Sequence, residues 1–298
     1  MTTVSEPGAA AGAPAPARAT PIHLPEQSLR HDVRAVKVVW QREMIRFSQD
    51  KVRILTSLLQ PLLYMFVLGT GLSSLTRGAT GDVNLRTFMF PGVLAVSVLF
   101  TAMFSAVSIV WDREFGFLRE MLVAPVRRGS ILVGKAIGGA TVATIQGAFV
   151  LALAPLVGVP YAPVMVLVLL VEMLVLGFSV TAFGLVLAAR VKQIQSMMGL
   201  MQMVLLPLMF LSGALYPLAN LPAWLNVAVH VNPITYAVHP LRDAVFVHID
   251  ASSQAVAALN PPLTWWGWVV PAVVQVGVVV AAGLAFLAIA IWEFNRAD

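Results

Sequence analysis

Six long apolar blocks alternate along the chain with short polar or proline-rich stretches. The blocks cover residues 54–75, 88–111, 136–159, 164–189, 194–216 and 266–292. Each exceeds the 18 or so apolar residues that a helix needs to cross the hydrocarbon core of a bilayer. Five of them contain no Asp, Glu, Lys or Arg. Their lengths suit helices rather than the short alternating strands of a membrane barrel, because a helix bonds its own backbone groups where no water is available. The pattern therefore predicts an all-α integral membrane protein with six transmembrane helices.

Ahead of the first block, Leu29, Val33, Val36, Trp40, Met44 and Phe47 recur at steps of three and four, while Arg30, Arg34, Lys37 and Gln41 take another side. This spacing predicts an amphipathic helix over 29–50 that lies in the membrane interface and leads through Lys51 and Arg53 into the first span. Residues 1–28 hold Pro14, Pro16, Pro21 and Pro25 and no apolar run, so they read as a disordered tail without a signal peptide. Residues 51–298 form the six-helix transmembrane domain in this reading.

The connections are unequal. Spans three and four are joined by a few uncharged residues around Pro160, whereas spans two and three are separated by Trp111 to Pro125. There Phe115, Leu118 and Leu122 fall at helical spacing beside Arg113, Glu114, Arg119 and Glu120, which predicts a short amphipathic helix between two spans. Such an element suits a partner's groove, or serves as a plain interfacial connector. Between spans five and six, residues 217–265 mix Pro217, Pro222, Pro233, Pro240, Pro261 and Pro262 with Leu221, Trp224, Val227 and Val229. Short apolar pieces broken by proline predict a re-entrant hairpin, and Trp265, Trp266 and Trp268 predict an interface at the start of span six.

Composition agrees with a bilayer as solvent: 59% of residues are hydrophobic, 11% are charged and mean hydropathy is +0.85. The net charge of +5 reports topology instead of a nucleic-acid partner, because all Lys and Arg but Arg77, Arg86 and Arg242 fall on one set of loops and termini. The positive-inside rule then places both termini and the 112–135 loop in the cytoplasm. With no cysteine, disulfides, thiolate metal sites and thiol catalysis are excluded.

Candidate chemistry is sparse. Gly129, Gly134 and Lys135 match the spacing of a phosphate-binding loop, but Ala136 lacks the hydroxyl that would hold Mg²⁺ and no strand precedes Gly129, so nucleotide binding is not expected here. Glu172 is the one charge inside a span. It either serves a cationic ligand or a proton-linked step, or joins helices as a protonated or hydrogen-bonded glutamate. Met197, Met201 and Gln202 in span five offer flexible thioethers and an amide, a set equally suited to packing. His230, His239, His248 and Asp250 fit no recognised ligand spacing, so no metal site and no catalytic residue is expected.

Three stretches resemble the permease subunits of ABC-2 type exporters, in particular the daunorubicin and drug-resistance type: Arg113 to Pro125, Leu211 to Pro217 with Leu221-Pro222, and Asn232-Pro-Ile-Thr-Tyr236 leading to Leu241-Arg242. The order of elements agrees from Leu29 onward, while Phe117 stands where many relatives carry a small polar residue. The resemblance implies a permease of the bacterial inner membrane that exports amphipathic drugs or similar small molecules. It also implies a second permease copy, with two ATPase subunits holding ATP and Mg while this chain binds no cofactor. Arg113, Glu114, Phe115, Gly116, Leu118, Arg119, Glu120 and Pro125 are then the expected coupling contact, and span five lies near the path, with Glu172, Met197, Met201 and Gln202 as path candidates. Export of a lipid or lipid-linked glycan fits the same architecture. A stand-alone secondary transporter would show midplane charges and an internal repeat, and neither pattern stands out.

Overall fold

A computed structural model describes residues 29–71, 84–117, 126–219, 221–249 and 252–296. The predicted tail at 1–28 and the coupling residues Leu118, Arg119, Glu120 and Pro125 lie outside the described residues. Helix α1 spans Leu29–Gln49, and Asp50 then caps the next helix, its carboxylate accepting from the Arg53 backbone N–H at 3.0 Å. Helix α2 (Lys51–Gly71) carries Pro61 in its interior and widens to a π-helix over Leu63–Leu68. Proline supplies no N–H to the turn before it, and a widened turn is one way the backbone absorbs such a defect.

Helix α3 (Leu85–Glu114) is the axis of the bundle, with 24 of its 30 residues buried. Around it pack α4 (Arg128–Leu151), α5 (Pro163–Arg190) and α6 (Ile194–Phe210), while α10 (Ala272–Arg296) packs mainly against α5. Five helices, α2 through α5 and α10, are long and apolar enough to cross a membrane. α6, at 17 residues, is shorter than the span read at 194–216, because the chain turns after Phe210.

Two other expected boundaries move. The third span stops at Leu151 and passes through a 3-10 turn at Ala154–Val157, since Pro155 cannot supply the N–H of a continuing helix. Span six begins at Ala272 instead of Trp266. Strands β1 (Thr264–Trp265) and β2 (Trp268–Val269) form a small hairpin there, turning through Trp266 and Gly267 at positive φ.

The proline-rich segment before that hairpin forms three helices: α7 (Ala223–Val231), α8 (Thr235–Phe246) and α9 (Ser253–Leu259). α7 and α8 are short helices joined through Asn232, Pro233 and Ile234, and α8 packs against α3, α5 and α10. Asn232 Nδ2 donates to Leu208 O at 2.8 Å, and Thr235 Oγ1 donates to Leu211 O at 3.3 Å. These bonds satisfy carbonyls at the end of α6, which a helix ending away from water cannot leave open. Arg242 is fully buried, donates to Gly213 O at 2.8 Å and stacks 4.4 Å from the Phe88 ring centroid. The motifs at 211–217, 232–236 and 241–242 are thus one packed unit.

Without a hydrophobic driving force between helices in lipid, small residues let backbones meet. At Gly92, an added Cβ would lie 1.8 Å from the Ala214 carbonyl oxygen, so only glycine admits the 211–217 turn beside α3. At Gly134 on α4, a Cβ would come 2.8 Å from Val39 Cβ and 3.0 Å from Val36 O, so this glycine seats α1. Gly134→Ala is expected to cost about 1–3 kcal/mol through overpacking. Gly199→Ala, where an added Cβ meets nothing within 4 Å, should cost nothing comparable. Thermal unfolding of the two variants in detergent checks this.

Candidate functional site

At one end of the bundle lie the last turn of α3, the first turns of α4 and α6, and the ends of α5 and α10. Here charged side chains converge from elements far apart in sequence. Lys135 on α4 is 2% exposed, and its Nζ lies 2.7 Å from Asp112 Oδ2, 3.0 Å from Glu43 Oε1 and 2.8 Å from Ser108 Oγ. Asp112, also 2% exposed, accepts from Arg42 Nη2 through Oδ1 at 2.7 Å. The two cations and two carboxylates balance, so the burial of Lys135, Asp112 and Glu43 is compensated with the help of the partly exposed Arg42. Trp40 Nε1 donates to Thr141 Oγ1 at 3.2 Å and Ser130 Oγ to Asp32 at 3.1 Å, completing the attachment of α1 to α4. The lysine of the phosphate-loop look-alike is therefore a helical residue inside an ion-pair network.

Between α1 and α2 on one side and α3 on the other lies a cavity of about 520 Å³. Its floor is a row of hydroxyls on α3, Ser97, Thr101, Ser105 and Ser108, spaced by four, four and three residues and so on one helical face. Ser97 Oγ and Ser105 Oγ donate to the carbonyls of Leu94 and Thr101, leaving their oxygen lone pairs as acceptors. The opposite wall holds Arg46, Asp50, Arg53, Ser57 and Gln60, with Phe100 and Phe104 as apolar surface on α3. The hydroxyl row was legible in the apolar block at 88–111 but is absent from the residues singled out from sequence. A second concavity of about 460 Å³ opens at the charged end, lined by Val38, Ile45, Trp111, Phe115, Phe117 and Arg42 among others.

The expected coupling residues divide. Phe115 and Phe117 are 58% and 51% exposed, and Gly116 turns the chain at φ 81° after α3 ends. Arg113 and Glu114 instead engage the chain itself. Arg113 Nη1 donates to Ala188 O at 3.0 Å and Val191 O at 2.7 Å, and Glu114 Oε2 accepts from the Ile194 backbone N–H at 2.8 Å. They tie the end of α3 to the α5–α6 turn, a role that the helical spacing of 113–122 does not reveal because its partners lie some eighty residues downstream. Beside them Arg190 and Glu293 form a two-bond pair at 2.7 and 2.9 Å.

The path candidates do not line the large cavity. Glu172 is half-buried near a cavity of about 10 Å³ with Tyr236, Ala237, Val276 and Val279. Met197 and Met201 are buried with Leu205 and Met209 in the stripe that packs α6 on α3, while Gln202 is exposed on the other side. Their neighbour Met198 does line the cavity. His230 and His248 contact the carbonyls of Asn226 and Ala244, and His239 sits between Asp243 and Pro261 O. Asp250 lies outside the described residues, among which no group of three or more His, Cys, Asp and Glu could hold a metal.

Five helices long and apolar enough to cross a membrane, with a polar cavity and a charged, aromatic-tipped end, define a multi-pass membrane protein. The ABC-2 type transporter family model matches residues 34–246, and the chain belongs to that family. It is 30% identical over 210 residues to a Cyanophora paradoxa protein named as a transport permease, ycf38, covering 69% of this chain and 72% of that protein. It is 28% identical over 214 residues to Nodulation protein J of Rhizobium leguminosarum bv. trifolii, covering 70% and 80%. A third relative, named as a multidrug ABC transporter permease, YbhR of Escherichia coli K12, is 29% identical over 158 residues, covering 52% and 42%. Permeases of this family work with ATPase subunits in ABC transporters.

Removing the lysine from the ion-pair network leaves two carboxylates without their shared cation. Lys135→Met is expected to cost about 3–5 kcal/mol, the usual penalty for breaking a buried pair. Adding Glu43→Gln to Lys135→Met should recover part of that loss, because it removes one uncompensated charge. Chemical or thermal unfolding of the single and double variants reads both effects.

Proposed function

We propose that this chain is the membrane-spanning half of an ATP-driven exporter in a bacterial inner membrane, with both termini in the cytoplasm. Two copies form the transport unit, and two separate ATPase subunits hold ATP and Mg and dock at the charged end. The cargo is an amphipathic small molecule. The cavity of about 520 Å³ between α1, α2 and α3 carries this reading, because it sets hydroxyls and charges against Phe100 and Phe104 in one space. A pocket with an apolar wall and a few polar groups is what an amphiphile requires.

The charged end supports the docking part. Phe115 and Phe117 project there beyond the last turn of α3, and aromatic side chains are the usual anchors of a protein interface. A push delivered at this tip reaches the start of α6 through Glu114 and the end of α5 through Arg113. Leu118, Arg119, Glu120 and Pro125 belong to the same proposed contact. Glu172, Met197, Met201 and Gln202 are assigned to packing and surface instead of the path.

The free acceptor lone pairs of the serine row favour a second reading, export of a lipid or lipid-linked glycan whose head group brings hydroxyl donors. Copurification with candidate ATPases, followed by ATP hydrolysis measurements, separates the readings. Drug-stimulated hydrolysis is the expected outcome, and stimulation by glycolipid alone would favour the second reading. Failure of any ATPase to copurify would overturn both. Phe115→Ala combined with Phe117→Ala should weaken the complex by roughly tenfold or more, as loss of interface anchors does.

A further inference from the structure

The polar cavity and the groove at the charged end share two side chains. Arg46 and Trp111 line both, with Arg46 Cζ 5.5 Å from the Trp111 ring centroid. Next to them the partition consists of the ion-pair network, with Glu43 and Ser108 on the cavity side and Arg42 and Asp112 on the groove side. That network is held by several charge-assisted bonds, whereas the Arg46–Trp111 contact is a single cation–π pair. The pair is therefore the part of the wall that opens most easily.

The charges behind it balance in number but not in hydrogen bonding. Of its two carboxylates, Glu43 is paired with Lys135, and Asp50 holds the Arg53 backbone N–H. Of its two guanidiniums, Arg46 rests on an aromatic ring, and Arg53 Nη2 is buried without a hydrogen-bond partner. Both cations thus keep donors available for an anion, and Phe100 and Phe104 supply apolar surface nearby.

We propose that the Arg46–Trp111 pair is a gate between groove and cavity, and that the cavity behind it selects amphiphiles carrying an anionic head group. An anion arriving in the groove draws Arg46 away from the ring, Arg53 receives the head group, and the apolar part settles against α3. The proposal rests on reading the cavity as the transport path.

Because the chain has no cysteine, Thr101→Cys places a single thiol on the cavity floor and Ser57→Cys one on the opposite wall. The full chain in phosphatidylcholine nanodiscs is labelled with anionic sulfonatoethyl and cationic trimethylammonioethyl methanethiosulfonate, each rate being divided by that of a free thiol. The normalised anionic rate should exceed the cationic one at both positions, because the guanidinium donors left without partners favour an anion. Arg53→Gln should collapse that ratio, and Trp111→Ala should raise both rates.

Equal normalised rates, faster cationic labelling, or rates indifferent to Trp111→Ala overturn the proposal. Dodecyl phosphate should protect the thiol where the same concentration of inorganic phosphate does not, and equal protection by the two overturns the amphiphile assignment. Slower labelling by both reagents when phosphatidylglycerol replaces part of the phosphatidylcholine supports the proposal and assigns the site to bilayer lipid, since surface charge alone would slow only the anionic one. Protection by added dodecyl phosphate alone supports it and assigns the site to a guest molecule. Labelling needs no ATPase and no transport, so its failure leaves the exporter reading to be judged by copurification.

Discussion

An ammonium buried at 2% exposure among membrane helices persists only with its charge answered nearby, and the architecture around Lys135 follows from that constraint. Asp112 and Glu43 answer it, and Asp112 in turn needs Arg42. Satisfying four charges at once fixes the rotation of α3 and α4 and brings α1 down onto them. Gly134 makes the approach sterically possible, and the electrostatics make it specific. Once α1 is held there, Asp50 starts α2 at a set point, and α2 runs beside α3. The polar cavity is the space left between α1, α2 and α3.

The same logic distributes work along α3. Its first turns meet the 211–217 turn through Gly92, its middle presents the hydroxyl row, and its charged end carries Asp112, Arg113 and Glu114. Three consecutive charged residues thus point to three different partners. One belongs to α1 and α4, one to the end of α5, and one to the start of α6. A movement of this helix end shifts each of those elements together, which is how a bundle with close-packed interfaces transmits small displacements.

Much of the fold could be read from the chain because lipid imposes a length rule and an apolar rule on every span. The blocks at 88–111 and 164–189 became α3 and α5 for that reason. Boundaries failed where local chemistry overrode hydropathy: Trp266 and Gly267 adopt positive φ, which ends any helix, although the tryptophans score as apolar. The ion-pair network was not legible, because Glu43, Asp112 and Lys135 lie far apart in sequence and their meeting depends on helix rotation. The bonds of Arg113 and Glu114 to the α5–α6 turn were hidden for the same reason. The serine and threonine row on α3 had a visible helical period and was hidden only by the high hydropathy of its block.

The length of α6 has a consequence for the membrane itself. Seventeen residues at 1.5 Å rise cover about 25 Å, less than the roughly 30 Å of a typical hydrocarbon core. Its far end is already fastened to the segment between α7 and α8 by Asn232 and to the start of α8 by Thr235. A helix this short, wherever it meets lipid, is matched by thinning of the bilayer, by flanking side chains reaching out to its surface, or by cover from another helix.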